Sequence, residues 1–134
     1  MDAFDADVLI FAASDDHPSG RPVRSLFEVG DSSIGVGSVL LLPEVLASVR
    51  REGRRDQLLR LATLLGRLDL LPVDLATSEV AVELAARHRL KPVDAIHLAT
   101  AVVAGADRFI TNNLRDFKPA TITEIDIVGP SDLV

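Results

Sequence analysis

The chain has 134 residues, enough for one domain with a real core, and its 48% hydrophobic content comes from Leu, Val, Ala and Ile rather than aromatic residues. With no Cys, neither a disulfide framework nor a thiolate metal site can form, and a cytoplasmic protein is the simplest expectation. The net charge of −6 argues against unspecific adhesion to nucleic acid, the acidic start Met1-Asp2-Ala3-Phe4-Asp5 is unlike a signal peptide, and the longest uncharged run, Ser32 to Pro43, is too short to span a bilayer.

Taken in order, residues 3–6 read as a short buried strand and 8–13 as a helical turn or two. A polar loop over 15–20 precedes a helix over 22–29, with Pro22 near its start and Gly30 just past its end. Residues 34–36 suit a second strand and 41–51 a helix broken at Gly53. The next helix, 56–68, shows an apparent apolar stripe of Leu58, Leu59, Ala62 and Leu65. A third strand is expected over 70–73, and Asp74 is a plausible N-cap for the helix running to His88.

The stretch Leu90 to Gly105, LKPVDAIHLATAVVAG, organises the rest. Pro92 suits a first helical position and Gly105 a left-handed end. Because the residues between are apolar nearly all round, this helix should be buried on most sides. Strands over 108–111 and 122–128 follow. Strands alternating with helices imply an α/β sandwich, three layers around a mostly parallel sheet, spanning residues 1–134 as one domain. Sites in such folds gather beyond the carboxyl ends of the strands.

That rule brings acids together. Asp5 and Asp7 follow the first strand, Glu44 and Asp94 open helices, and Thr111, Asn113 and Asp116 follow the fourth strand in FITNNLRDF. Each alone has an ordinary explanation: Asp7 as a cap, Glu44 and Asp94 as helix-dipole partners, Asp116 as a turn residue. Their coincidence at strand ends and helix starts does not. Two carboxylates ~4 Å apart repel by ~4 kcal/mol at an effective dielectric near 20, so a cluster must take up protons or a cation. All-oxygen donors suit Mg²⁺ or Mn²⁺. The basic residues Arg50, Arg51, Arg54 and Arg55 form a second group, either a solvated face or a set of phosphate contacts.

The runs FDADVLI (4–10), Pro43-Glu44, DAIHLA (94–99) and TNNLRDF (111–117), in this order and spacing, resemble the PIN domain, and within it the VapC-type toxin ribonucleases. The resemblance implies a Mg²⁺-dependent endoribonuclease, with Mn²⁺ able to substitute, inhibited by a VapB-type antitoxin and acting as a homodimer. By motif position, Asp5, Glu44, Asp94 and Asp116 would form the catalytic metal cluster, with Thr111 and Asn113 in support. Two positions depart from the family pattern. Asp7 stands where a small polar residue is usual and is expected to cap the following helix. Asn113 stands where Asp is frequent, which leaves Asp116 as the fourth charge. His97, one turn after Asp94, is expected to be packed or supporting. The alternatives are a haloacid-dehalogenase-like phosphatase, from Asp5-Ala6-Asp7 and Thr111, which lacks its expected Lys and late acidic pair, and a PIN fold that only binds a partner.

Overall fold

The computed structural model describes residues 1–30 and 33–133. Five strands form one sheet: β1 (Asp2–Phe4), β2 (Gly35–Ser38), β3 (Leu68–Leu71), β4 (Arg108–Ile110) and β5 (Asp126–Val128). Their order is β3-β2-β1-β4-β5, and every pairing is parallel. Among the described residues, six α-helices cover it: α1 (Ala6–Ala12), α2 (Gly20–Leu26), α3 (Leu41–Arg51), α4 (Arg55–Leu65), α5 (Leu75–His88) and α6 (Pro92–Val103).

Alternation along the strands divides the core into two layers. Phe4, Ile110 and Leu68 face α1 to α4, where Leu9, Val23, Leu41, Val45 and Leu61 are buried. Ala3, Val36, Phe109 and Ile127 face α5 and α6, packing on Leu84, Leu98 and Ala99. The chain leaves β1 toward β2 and β3, then returns to the other side of β1 with β4. The order therefore reverses between β1 and β4, where open α/β sheets part to form a crevice.

Most elements lie where the sequence puts them, with shifts of physical origin. Helix α4 ends at Leu65, and Gly66 closes it, which frees Leu68 to begin β3. Its buried face is Leu61 and Leu65. Leu59 is 66% exposed and Ala62 is exposed as well, so the apolar stripe expected through those two residues is displaced toward Leu61. Helix α2 begins at Gly20, where a Cβ would stand 2.0 Å from the Phe11 carbonyl oxygen, so glycine is required by the close approach of α1. The last strand is only three residues long, because 122–125 pack by side chain without joining the ladder. Asp74 caps α5 as expected, accepting the Thr77 N–H at 2.8 Å. Pro92 opens α6, and Ala95, His97, Leu98, Ala99, Thr100 and Ala101 are buried along it. Among the described residues, no helix is long and apolar enough to cross a membrane.

Candidate metal centre

Asp5 leaves β1 at the point where the order of strands reverses. Its backbone N–H still donates to Ile110 of β4 at 3.0 Å, but its side chain belongs to the next helix. One carboxylate oxygen, Oδ1, accepts the Ala6 N–H at 2.9 Å, and Oδ2 accepts the Thr111 hydroxyl at 2.8 Å. Asp5 is thus the N-cap of α1, and its residue is only 6% exposed. This corrects the expectation for Asp7, which lies within the first turn of α1 and does not cap it. The Asp7 carboxylate instead accepts the Asn112 N–H at 3.3 Å. The helix starts two residues earlier than its apolar pattern suggests because Asp5 satisfies the free N–H of its first residue.

The loop after β4 is built on the same residues. The Thr111 hydroxyl that donates to Asp5 accepts the Asn113 N–H at 3.0 Å. Asn113 Nδ2 donates to Asp116 Oδ2 at 3.0 Å, and the Asn113 side-chain oxygen accepts the Asp116 N–H at 3.4 Å. Asn113 therefore fixes the turn that carries Asp116, whose carboxylate is exposed.

Glu44 comes from the first turn of α3, in one layer, and Asp94 and His97 from α6, in the other. They meet past the carboxyl edge of the sheet, where His97 Nε2 lies 2.7 Å from Glu44 Oε1. Asp5, Glu44 and His97 each offer a donor atom within 4.8 Å of the others. The contact between Glu44 and His97 joins residues 53 apart and was not foreseeable. The only signal for it was that His97 shares a helix face with Asp94.

Burial and mutual repulsion raise the acids' affinity for protons. Asp5 is raised chiefly by burial, although the Thr111 hydrogen bond and any positive charge on His97 act against it. Asp7 is pushed up to about 6 by burial and then by Asp5. Asp94 is raised by burial, and further by Asp5, Asp116 and Glu44. Among the described residues, no Lys or Arg pairs with any of these five carboxylates. The opposite edge of the sheet is different: Asp2 there is held by Arg108 through two bonds of 2.8 and 2.9 Å. Carboxylates that converge without a protein cation suit a divalent cation. Asp5 and Glu44 bring donor atoms together beside His97, and Asp94 lies near enough for its charge to be felt by both.

The arginines lie elsewhere. Arg50 and Arg51 end α3, about 10 Å along the helix axis from Glu44. Arg54 and Arg55 start α4, on a cleft shared with Asp15, Asp16 and Arg60. Arg54 pairs with Glu52 at 2.7 Å and Arg60 with Asp15 at 3.0 Å, while Arg50, Arg51 and Arg55 extend into solvent.

A parallel sheet with order 3-2-1-4-5 and unneutralised acids at its reversal point defines an α/β domain with an acidic centre. The family model described as the PIN domain matches residues 3–120, and the chain belongs to that family. This assignment displaces the phosphatase reading, and Asp5, with one oxygen bonded to Ala6 and the other to Thr111, is poorly disposed as the nucleophile that reading needs. No curated protein matches the sequence. Among solved structures, a toxin–antitoxin complex from Klebsiella pneumoniae aligns over 97% of this chain and 98% of that one, with TM-score 0.75 and 26% identity. DNA-bound VapBC from Salmonella typhimurium aligns over 96% and 97% of the two chains, with TM-score 0.75 and 21% identity. VapBC2 from Rickettsia felis, bound to a promoter DNA fragment, does so over 96% and 97%, with TM-score 0.71 and 16% identity. The last two speak to the fold alone.

Proposed function

We propose that this chain is a metal-dependent endoribonuclease of the VapC type, the toxin of a toxin–antitoxin pair. The observation that carries this reading is the meeting of Asp5 and Glu44, with the Asp94 charge repelled by both and no compensating Lys or Arg among the described residues, at the reversal point of a PIN-family sheet. Asp5, Glu44 and Asp94 would hold Mg²⁺, or Mn²⁺ in its place, with Asp116 as the fourth charge. When bound, such a cation supplies positive charge to a phosphodiester oxygen and makes water more acidic. The chain's part is to hold the donors still. Thr111 fixes Asp5, Asn113 fixes the turn bearing Asp116, and Asp7 adds negative charge beside Asp5. Arg50, Arg51, Arg54 and Arg55 would contact only an RNA long enough to run along α3.

The partner proposed is a VapB-type antitoxin, supported by the toxin–antitoxin complex that this chain resembles along its length. An Arg from that partner would find unpaired carboxylates able to accept its planar fork in bidentate fashion. A homodimer in the cytoplasm completes the reading; the exposed Leu75, Val82 and Val93 on α5 and α6 favour a second copy. The deciding experiment is cleavage of single-stranded RNA by the purified chain. Cleavage should require Mg²⁺ or Mn²⁺ and stop with EDTA. Full activity in EDTA would sink the mechanism, and no cleavage under any metal would leave a non-catalytic binding module.

A further inference from the structure

His97 is 2% exposed and stands at the junction of the two helical layers. Its Nε2 contacts Glu44 Oε1 at 2.7 Å. Its other nitrogen, Nδ1, is fully buried and has no hydrogen-bond partner among the described residues. These facts decide between two roles. A metal-binding imidazole must present a bare nitrogen, and its second nitrogen then carries a proton that a carboxylate or carbonyl regularly accepts. If Nε2 were bare here, the proton would sit on Nδ1, where nothing receives it, and two lone pairs would face each other across 2.7 Å. With the proton on Nε2, the short contact becomes a hydrogen bond to a carboxylate, and only an acceptor is left unpaired.

We infer that His97 is a positioning residue rather than a metal ligand: its Nε2–H donates to Glu44 Oε1 and holds that carboxylate over Asp5. Glu44 needs such a hold. It sits on an exposed helix start with three rotatable side-chain bonds, and its charge is repelled by Asp5 and Asp94. Unanchored, it would turn to solvent. The inference rests on the metal-centre reading and adds to it the reason Glu44 stays in the cluster.

The test uses tag-free protein and Mn²⁺ alone as the probe. Long-range ¹H–¹⁵N NMR of the metal-free chain should place the His97 proton on Nε2. Pulsed EPR of the Mn²⁺-loaded chain should show no imidazole nitrogen coupling. His97→Ala should weaken Mn²⁺ binding by about 10–100-fold. His97→Gln, whose amide N–H can stand where Nε2–H stood, should recover most of that loss. In a Glu44→Ala background, His97→Ala should weaken binding no further, an outcome that a merely structural role would not give. A proton on Nδ1, a nitrogen coupling in the wild type, or wild-type Mn²⁺ affinity in His97→Ala would overturn the inference and leave the metal centre standing. Absence of Mn²⁺ binding by the wild type would overturn both. The two spectroscopic readings need no variant, so they stand even if His97→Ala does not fold.

Discussion

Asp5 and Asp94 are both carboxylates held against their preference for water, yet they differ in what replacement by Asn should do. Asp94 makes no hydrogen bond among the described side chains, and its neighbours Asp5, Asp116 and Glu44 all repel it. Asp94→Asn loses a dipole contribution of ~0.3–1 kcal/mol but relieves repulsion, so the metal-free variant should melt at or above the wild type. Asp5 accepts through both oxygens, and the Thr111 hydroxyl donates to it because an ionised carboxylate has no proton to give. Asn can supply only one oxygen, so Asp5→Asn should strand the hydroxyl proton and melt below Asp94→Asn, as thermal unfolding of the two would show. Asp7 makes a pH prediction. Its pKa is raised to about 6 in the fold. The folded state then holds the proton more tightly than the unfolded chain, so this group's contribution to stability is complete below about pH 4 and is lost as pH rises through about 6. Melting curves without metal should show wild type losing stability relative to Asp7→Asn between pH 4 and 6. Glu124, lowered to about 2 beside His88 and Arg87, works in the opposite sense at more acidic pH. A difference curve that is flat over that window would contradict the Asp7 assignment.

At the scale of elements, the junction of α1 with α2 and the start of α5 carry the clearest tests. Gly20→Ala puts a Cβ against the backbone of Phe11, which cannot yield as a side chain would. A loss of about 1–3 kcal/mol is expected by denaturant unfolding, as for other overpacked positions. Asp74→Ala removes the Thr77 cap and should lower the denaturant midpoint of unfolding. What was legible in the sequence follows the same division. Chemical markers place the ends of α3, α5 and α6, namely Gly53 after α3, Asp74 before α5 and Pro92 at the start of α6, whereas Pro22 and Gly30 misplace α2, which runs from Gly20 to Leu26. Helix α4 was misread because a leucine at nearly every position, 58, 59, 61, 64 and 65, makes several faces look apolar, and only packing against α1 and α3 selects Leu61. The start of α1 is ambiguous in the sequence because Asp5 and Asp7 are both good capping residues, and the hydrogen bond to Thr111, just past β4, favours Asp5.

For the whole molecule, the site is legible as a set of acids and hidden as a geometry. The rule that sites lie past strand ends collects Asp5, Glu44, Asp94 and Asp116 from four parts of the chain. No local pattern shows that Glu44 and His97 touch across two layers, because that depends on how the helices pack on the sheet, whereas the helix expected over 41–51 already puts Arg50 and Arg51 at the end away from Glu44. The fold thus separates a neutralised edge, with Asp2 on Arg108, from an edge whose charge is left uncompensated. That imbalance costs stability in the metal-free chain, and a ligand that binds only the native state should repay it. The most direct measurement follows RNA cleavage and melting temperature across a Mg²⁺ titration, for wild type and Asp94→Asn together. Wild type should cleave and be stabilised as Mg²⁺ rises, whereas Asp94→Asn should lose most cleavage and most of the Mg²⁺-induced stabilisation while remaining folded. Wild-type cleavage by Asp94→Asn, with an unchanged response to Mg²⁺, would contradict the account.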